Sequence, residues 1–114
     1  MRELWDISAS CHKDLGHELE DTDLVYTVGS EMKKYLELAD KQSFVSSRQA
    51  GKSLVKKIKE NKAQKYIILV KWSQNTIFTE EAIKELLADK KDVKKLVRQS
   101  DDWMKRKEIF FKSL

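Results

Sequence analysis

The stretch that decides the fold is residues 24–31, with the sequence LVYTVGSE. Its first five residues form a short apolar run rich in β-branched side chains, which is typical of a buried strand that ends at Gly29. Ser30 can then cap a helix that has Glu31 in its first turn, and apolar residues at helical spacing continue to about Asp40. The stretch therefore predicts a strand that leads directly into a helix.

The same alternation extends in both directions along the chain. An apolar residue at every fourth position predicts a helix over residues 8–20, and a brief strand at 43–46 is followed by a helical pattern at 47–61. The strongest strand signal is YIILV at 66–70, which is apolar on both faces and is therefore expected at the centre of a sheet. Thr79 can cap a further helix. Strands alternating with helices predict an α/β fold with a mainly parallel sheet flanked by helices.

Two regions differ in character. Residues 1–88 carry the alternating pattern, whereas residues 89–114 form a helical and strongly charged tail to which we assign no function. The periodicity of the tail does not reveal what it packs on. Only three strands are visible in the first region, fewer than the five or six usual in a sheet, so we expect part of the sheet to be missing.

The composition narrows the class of protein. A chain of 114 residues suffices for one domain, and its single cysteine excludes an internal disulfide framework. Lysine and arginine (23) exceed aspartate and glutamate (19), but acids interrupt the basic residues throughout, so we expect no nucleic-acid partner. No apolar stretch approaches the ~20 residues that cross a bilayer, and the N-terminus does not resemble a signal peptide. We therefore expect a cytoplasmic protein without a membrane partner.

Two motifs that suggest chemistry have simpler interpretations. The triplet GKS at 51–53 resembles the end of a phosphate-binding loop, but the glycine required five positions earlier is Ser46, and the triplet lies inside a helical pattern. Cys11, His12 and His17 suggest a metal site, yet no second pair of ligands completes tetrahedral coordination. We expect an exposed helix face in the first case, and a buried thiol with two surface imidazoles in the second.

The loop KWSQN at 71–75 has both the position and the chemistry of a ligand site. It follows the strongest strand signal and precedes a helix, which places it at the carboxyl edge where open α/β sheets bind ligands. Lys71 offers a mobile cation for a carboxylate or phosphate, and Ser73 and Gln74 offer directional hydrogen bonds. From the residues alone, a ligand site and an ordinary polar loop are equally open.

Several segments taken together resemble the C-terminal domain of Mur ligases, and most closely that of the enzymes that add D-alanyl-D-alanine to UDP-N-acetylmuramoyl-tripeptide. The family has a Gly-Asp-Met-x-Glu-Leu-Gly segment, a helix carrying a histidine, a strand ending in Val-Gly, and a later strand leading into Leu-Val-Lys-Gly-Ser-Arg or a Gln variant. The matching segments, in the same order, are MREL at 1–4, SCHKDLG at 10–16, DLVYTVG at 23–29, and LVK at 69–71 with Ser73 and Gln74.

The resemblance implies an ATP-dependent ligase that activates the carboxylate of a UDP-muramoyl tripeptide as an acyl phosphate and joins it to the amine of D-alanyl-D-alanine. It implies a Rossmann-like domain whose first strand, together with the N-terminal and central ligase domains, precedes this chain. ATP and Mg²⁺ are then bound mainly outside the chain, and we expect the fragment alone to be inactive. Lys71, Ser73 and Gln74 become substrate-binding candidates, with no catalytic residue and no metal ligand in the chain.

Two departures from the family pattern are both changes from glycine to tryptophan. Trp5 stands where the family has the glycine after Glu-Leu, and Trp72 stands where it has the glycine after Val-Lys. Because some bacteria read the UGA codon as glycine and others as tryptophan, we hypothesise that both positions are glycine codons translated with the wrong code. If the tryptophans are genuine, we expect the loop around Lys71 to be obstructed.

Two alternative functions stay open. Another amide ligase of the same superfamily, acting on a folate or a different muramoyl peptide, would share these motifs. A free-standing α/β binding module without catalysis would share the alternation of strands and helices.

Overall fold

The computed structural model describes residues 6–38, 41–71 and 77–114. It is a mixed structure of helices and a small parallel sheet, which confirms the expected α/β class at that level. Within the described ranges, none of the helices combines the length and apolar character needed to span a bilayer. In chain order the elements are α1 (Ser8–Glu18), β1 (Val25–Val28), α2 (Ser30–Tyr35), β2 (Lys41–Phe44), α3 (Ser47–Glu60), α4 (Glu80–Leu86), a 3₁₀-helix (Lys90–Lys95) and α5 (Asp101–Lys112).

The sheet consists of β1 and β2, which pair in parallel and are connected through α2. Side chains on neighbouring strands contact each other across the pair. The hydroxyl of Thr27 lies 2.9 Å from the hydroxyl of Ser43, its partner in the register. The ring of Tyr26 stacks on that of Phe44 with 5.5 Å between centroids. The predicted passage from strand to helix at residues 24–31 is thus confirmed, although the N-cap of α2 is Gly29 and Ser30 is its first residue.

The strand predicted at residues 66–70 is wrong. These residues belong to no strand, and the sheet of the described residues contains only β1 and β2. Instead of lying at the centre of a sheet, Ile67 is 103% exposed and Leu69 is 89% exposed. An apolar run supplies the propensity for a strand, but pairing also requires a neighbouring strand with unpaired backbone groups, which a local pattern cannot specify.

The buried face of α1 is shifted by one position from the apolar residues at every fourth position that predict this helix, which are Ile7, Cys11, Leu15 and Leu19. The buried residues of α1 are His12 and Gly16, whereas Cys11 is only half-buried. The Nδ1 atom of His12 lies 2.6 Å from the Ser8 carbonyl oxygen, one turn earlier. A Cβ on Gly16 would lie 2.5 Å from the carbonyl oxygen of Glu37, so the absence of a side chain allows the close approach that turns this face inward. The prediction of a surface imidazole is therefore wrong for His12.

Helices α3 and α4 cross in close contact at Gly51. A Cβ on Gly51 would lie 2.7 Å from the Cα of Ala82, so only glycine allows the two backbones this near each other. Ser46 caps α3 by accepting a hydrogen bond from the Gln49 amide at 3.3 Å. The glycine of the GKS triplet thus serves helix packing. Thr79 occupies the predicted cap position of α4, but its side chain makes no capping hydrogen bond.

The residues after position 89 pack on the rest of the chain through aromatic and charged side chains. Phe78, which precedes α4 and is buried, lies edge-on to Phe110 of α5 with 5.3 Å between ring centroids. Trp103, also in α5, lies 6.3 Å from the same ring. This packing answers what the sequence left open about residues 89–114. The buried apolar residues of the described ranges are few: Val25, Leu36, Ala50 and Phe78.

Candidate functional site

Gly29 follows directly after the carboxyl end of β1. This residue has a φ of +100°, a conformation that favours glycine over residues with a side chain. Its amide donates a hydrogen bond to the carbonyl oxygen of Phe44 at the end of β2, over 3.0 Å. A Cβ on Gly29 would lie 3.8 Å from Cδ1 of Ile77. Ile77 therefore lies directly beside the end of β1.

The carboxyl end of β2 leads into α3, whose first residue anchors the same returning segment. Ser47 is fully buried, and its hydroxyl donates a hydrogen bond of 2.9 Å to the carbonyl oxygen of Phe78. Phe78 has a φ of +50°, an uncommon conformation for a residue with an aromatic side chain. Ile77 and Phe78 together therefore connect the carboxyl ends of both strands to α4.

Of the predicted substrate-binding residues Lys71, Ser73 and Gln74, the structure describes only Lys71. Because residues 66–70 form no strand, the structure does not place Lys71 at the carboxyl edge of the sheet. Lys71 is exposed and belongs to no helix or strand, and it forms no ion pair within the described ranges. Ser73 and Gln74, like Trp5 and Trp72, lie outside the described residues. The described ranges bring Ile77, at the far end of the loop, to the carboxyl edge.

Behind Phe78 lies a buried cluster of charges that begins at Glu80. Arg98 holds the Glu80 carboxylate with two hydrogen bonds, one from Nε over 2.9 Å and one from a terminal nitrogen over 2.7 Å. The ammonium of Lys107, a residue with no exposed surface, lies 2.9 Å from the same carboxylate. Such paired and charge-assisted hydrogen bonds are among the strongest that proteins form. Glu80 is thus tied to both the segment before α5 and α5 itself.

The neighbouring carboxylate of Glu81 completes the cluster. It accepts a hydrogen bond of 2.9 Å from Lys107 and lies 2.7 Å from the ammonium of Lys84. On its other oxygen it accepts a hydrogen bond of 3.2 Å from Arg48 of α3, and Arg48 also reaches Glu108 of α5 over 2.8 Å. The cluster therefore joins α3, α4 and α5 through charged side chains.

Both buried carboxylates are held ionised. Burial by itself raises the pKa of Glu80, but hydrogen bonds from Arg98 and Lys107 outweigh this effect and lower the pKa to about 2. Burial likewise raises the pKa of Glu81, while hydrogen bonds from Lys84 and Lys107 lower it, with a net result below the usual range. A carboxylate that stays ionised far below neutral pH is a poor general acid or base at pH 7. The cluster is therefore suited to fastening helices together and not to proton transfer.

Other features of the described residues offer little chemistry. Among them, no group of three or more histidine, cysteine, aspartate or glutamate side chains comes together to hold a metal ion. An open cavity of about 340 Å³ lies beside the start of α3, where the guanidinium of Arg48 stacks 4.1 Å from the ring centroid of Phe111. Its lining consists of Val45, Ser46, Arg48, Gln49, Phe111 and Leu114.

Comparison with known proteins finds no family model, no curated protein and no solved structure that matches this chain. The features of this chain that bear on function are therefore the motifs of its sequence and the carboxyl edge of its sheet. Sequence reasoning missed two features there, the Ser47 anchor and the burial of Glu80 and Glu81. Only the excess of basic residues after position 89 could have suggested partners for the two glutamates.

Proposed function

We propose that this chain is the C-terminal domain of an ATP-dependent ligase of the Mur type, which joins D-alanyl-D-alanine to UDP-N-acetylmuramoyl-tripeptide. The ordered family motifs in residues 1–88 support this assignment, as does the parallel strand–helix–strand unit formed by β1, α2 and β2. For the fold of this domain, we propose a Rossmann-like Mur domain whose first strand lies outside this chain.

The observation that carries the proposal is that Ile77 and Phe78, which follow the Lys71 loop in sequence, lie at the carboxyl ends of β1 and β2. Ile77 lies beside Gly29 at the end of β1, and Phe78 accepts a hydrogen bond from Ser47 just after β2. Open α/β sheets bind their ligands at this edge. A loop that ends there is in the correct place to contact a substrate held by neighbouring domains.

The chemistry assigned to the loop is recognition and not bond making. In the proposed reaction the substrate carboxylate is activated as an acyl phosphate, the amine of D-alanyl-D-alanine attacks its carbonyl carbon, and phosphate leaves. Lys71 supplies a positive charge for the carboxylate of the incoming dipeptide or for the acyl phosphate, and Ser73 and Gln74 supply hydrogen bonds. The residues that bind ATP and Mg²⁺ lie mainly in the other domains of such a ligase.

The test places this chain behind the N-terminal and central domains of a ligase that adds D-alanyl-D-alanine, with glycine or tryptophan at position 72. Phosphate release that depends on the dipeptide is then measured. Losing a charge-assisted contact typically costs ~1.5–3 kcal/mol, so Lys71→Ala should lower kcat/KM by roughly ten- to a hundredfold. Lys56→Ala, on the exposed face of α3, is the matched control and should change kcat/KM by less than about twofold.

Each other result points to a specific alternative. Turnover with glutamate and a folate, or with a different muramoyl peptide, would assign the chain to another ligase of the superfamily. A chimera that folds but ligates none of these substrates would favour a non-catalytic binding module. Equal and small effects of Lys71→Ala and Lys56→Ala would remove the loop from the site even if the ligase assignment held. The isolated chain should release no phosphate from ATP above a mock preparation.

A further inference from the structure

The segment Tyr66–Val70 presents an apolar surface that nothing in the described ranges covers. Ile67 and Leu69 are 103% and 89% exposed, Ile68 between them is 41% exposed, and Tyr66 and Val70 on either side are half-buried. Exposure that alternates from residue to residue is the pattern of a strand with one bare face. None of the backbone hydrogen bonds found outside helices and strands in the described ranges involves residues 66–70. The segment therefore has the composition of a strand and lacks a partner among the residues that the structure describes.

Within the described ranges the sheet also has an unpaired strand edge. β1 is bonded to β2 on one side only, and in the described ranges no other backbone hydrogen bond reaches residues 25–28. Of the two strands, β1 is the more apolar, with the sequence VYTV against KQSF in β2. An unpaired edge of this kind is a template for another strand.

The residues that precede these two segments carry opposite charges. Residues 18–23, which lead into β1, contain four acidic side chains and no lysine or arginine. Residues 56–65, which lead into Tyr66–Val70, contain five lysines and one acid. All of these charged side chains are exposed. If the two segments lay side by side in parallel, the acidic and basic stretches would lie side by side as well.

We propose that, in this chain by itself and independently of the ligase assignment, Tyr66–Val70 of one copy adds in parallel to the edge of β1 that is unpaired within the described ranges of a second copy. With Ile67 opposite Val25, Ile67 and Leu69 fall on the same face of the sheet as the buried Val25 and Thr27. The same register sets Lys65 opposite Asp23. Opposite charges at facing positions favour this pairing over antiparallel alternatives. The contact is short, so it belongs with weak interfaces, with a Kd of roughly 1–100 µM.

The test uses two charge-reversal variants of the full chain. The first variant, Asp21→Lys with Asp23→Lys, has basic charges before β1 and keeps Lys62 and Lys65. The second variant, Lys62→Glu with Lys65→Glu, has acidic charges before residue 66 and keeps the acidic stretch before β1. Each variant alone opposes like charges and should dimerise at least tenfold more weakly than the original chain in sedimentation velocity. Mixed in equal amounts, the two variants should associate with each other about as well as the original chain does with itself.

A control and a local probe complete the design. Lys94→Glu with Lys105→Glu reverses two exposed lysines elsewhere and should leave the Kd within about twofold. Hydrogen exchange at residues 66–70 should slow as the protein concentration rises through the Kd.

Three outcomes would overturn the proposal. The first is that the original chain remains monomeric at a concentration ten times the upper end of that Kd range. Pairing of Tyr66–Val70 within its own chain would give this result. The second is association that survives unchanged in both variants. The third is a monomer that sediments instead with vesicles of phosphatidylcholine and phosphatidylglycerol, which would reassign the lysines and apolar face to a lipid surface.

Discussion

Replacing Lys107 by methionine tests whether the buried charges hold α5 in place. Lys107 has no exposed surface, and its ammonium lies 2.9 Å from a carboxylate oxygen of Glu80 and 2.9 Å from one of Glu81. Methionine keeps most of the bulk of the aliphatic chain and removes only the charge and its donors. The free energy of unfolding of Lys107→Met therefore reports the contribution of the ammonium.

The expected loss follows from what remains after the substitution. Removing one partner of a buried ion pair costs ~3–5 kcal/mol when the other charge is left without a partner. Here Glu80 keeps its two bonds from Arg98, and Glu81 keeps Lys84, so neither carboxylate is abandoned. We therefore expect a loss of about 2–3 kcal/mol. Against a total of ~5–15 kcal/mol for a domain, this loss is large, and it corresponds to a fall in Tm of about 10 °C.

The assay is urea denaturation at pH 7 followed by circular dichroism. Lys105→Met changes an exposed lysine of the same helix and should alter the free energy of unfolding by less than about 0.5 kcal/mol. A double-mutant cycle with Glu81→Gln should show a coupling energy of the same sign as the single loss. If Lys107→Met were as stable as the original chain within about 0.5 kcal/mol, the cluster would not be what fastens α5.

Three further predictions concern pH, packing and the gene. The pKa of Glu80 is about 2 in the folded chain and 4.5 ordinarily, so its ionised carboxylate contributes about 3 kcal/mol to the free energy of unfolding. This contribution should be complete above about pH 5 and disappear as the pH falls toward 2. Glu80→Gln should abolish this part of the pH dependence of unfolding. Gly51→Ala should destabilise the chain by about 1–3 kcal/mol in thermal denaturation, because the new methyl would meet the backbone of Ala82. The coding DNA should read UGA at Trp5 and Trp72.

Each of these three has a clear contrary result. The difference in stability between Glu80→Gln and the original chain should shrink on acidification, and a constant difference from pH 7 to pH 2 would contradict the assigned pKa. A Gly51→Ala chain with an unchanged or higher Tm would show that α3 and α4 have room for a methyl group. UGG at both tryptophan positions would end the hypothesis of a misread codon.

Local patterns were sufficient for three elements in the first half of the fold. The strand at β1, the turn at Gly29 and the helix α3 follow from neighbouring residues, because propensity, capping and periodicity all act over a few positions. The residues of α1 that face inward could not be found this way, since Gly16 sets the close approach to Glu37 and its lack of a side chain adds nothing to an apolar stripe. Pairing of residues 66–70 was overestimated because a strand depends on a distant partner.

The charged cluster was hidden from sequence reasoning by distance along the chain. Arg98 lies 18 residues from Glu80, Lys107 lies 26 from Glu81, and Arg48 lies 33 from Glu81. Each residue by itself looks like ordinary surface charge, because charged side chains are seldom buried unless they are paired. The candidate site was predicted at the carboxyl edge from a strand at residues 66–70 that the structure does not show, and nothing local indicated that Ser47 would bind the Phe78 carbonyl oxygen just after β2.

The buried ammonium of Lys107 also determines how α5 can sit on its neighbours. Sliding a helix by one residue along its own groove rotates its side chains by about 100°. Such a slide would carry Lys107 away from Glu80 and Glu81 at once and leave both carboxylates short of a donor in a place that water does not reach. A purely apolar face could accommodate the slide by repacking, as Phe110 and Trp103 could around Phe78. The buried ion pairs therefore fix the register of α5 on its neighbours, because an alignment shifted by one residue would break them.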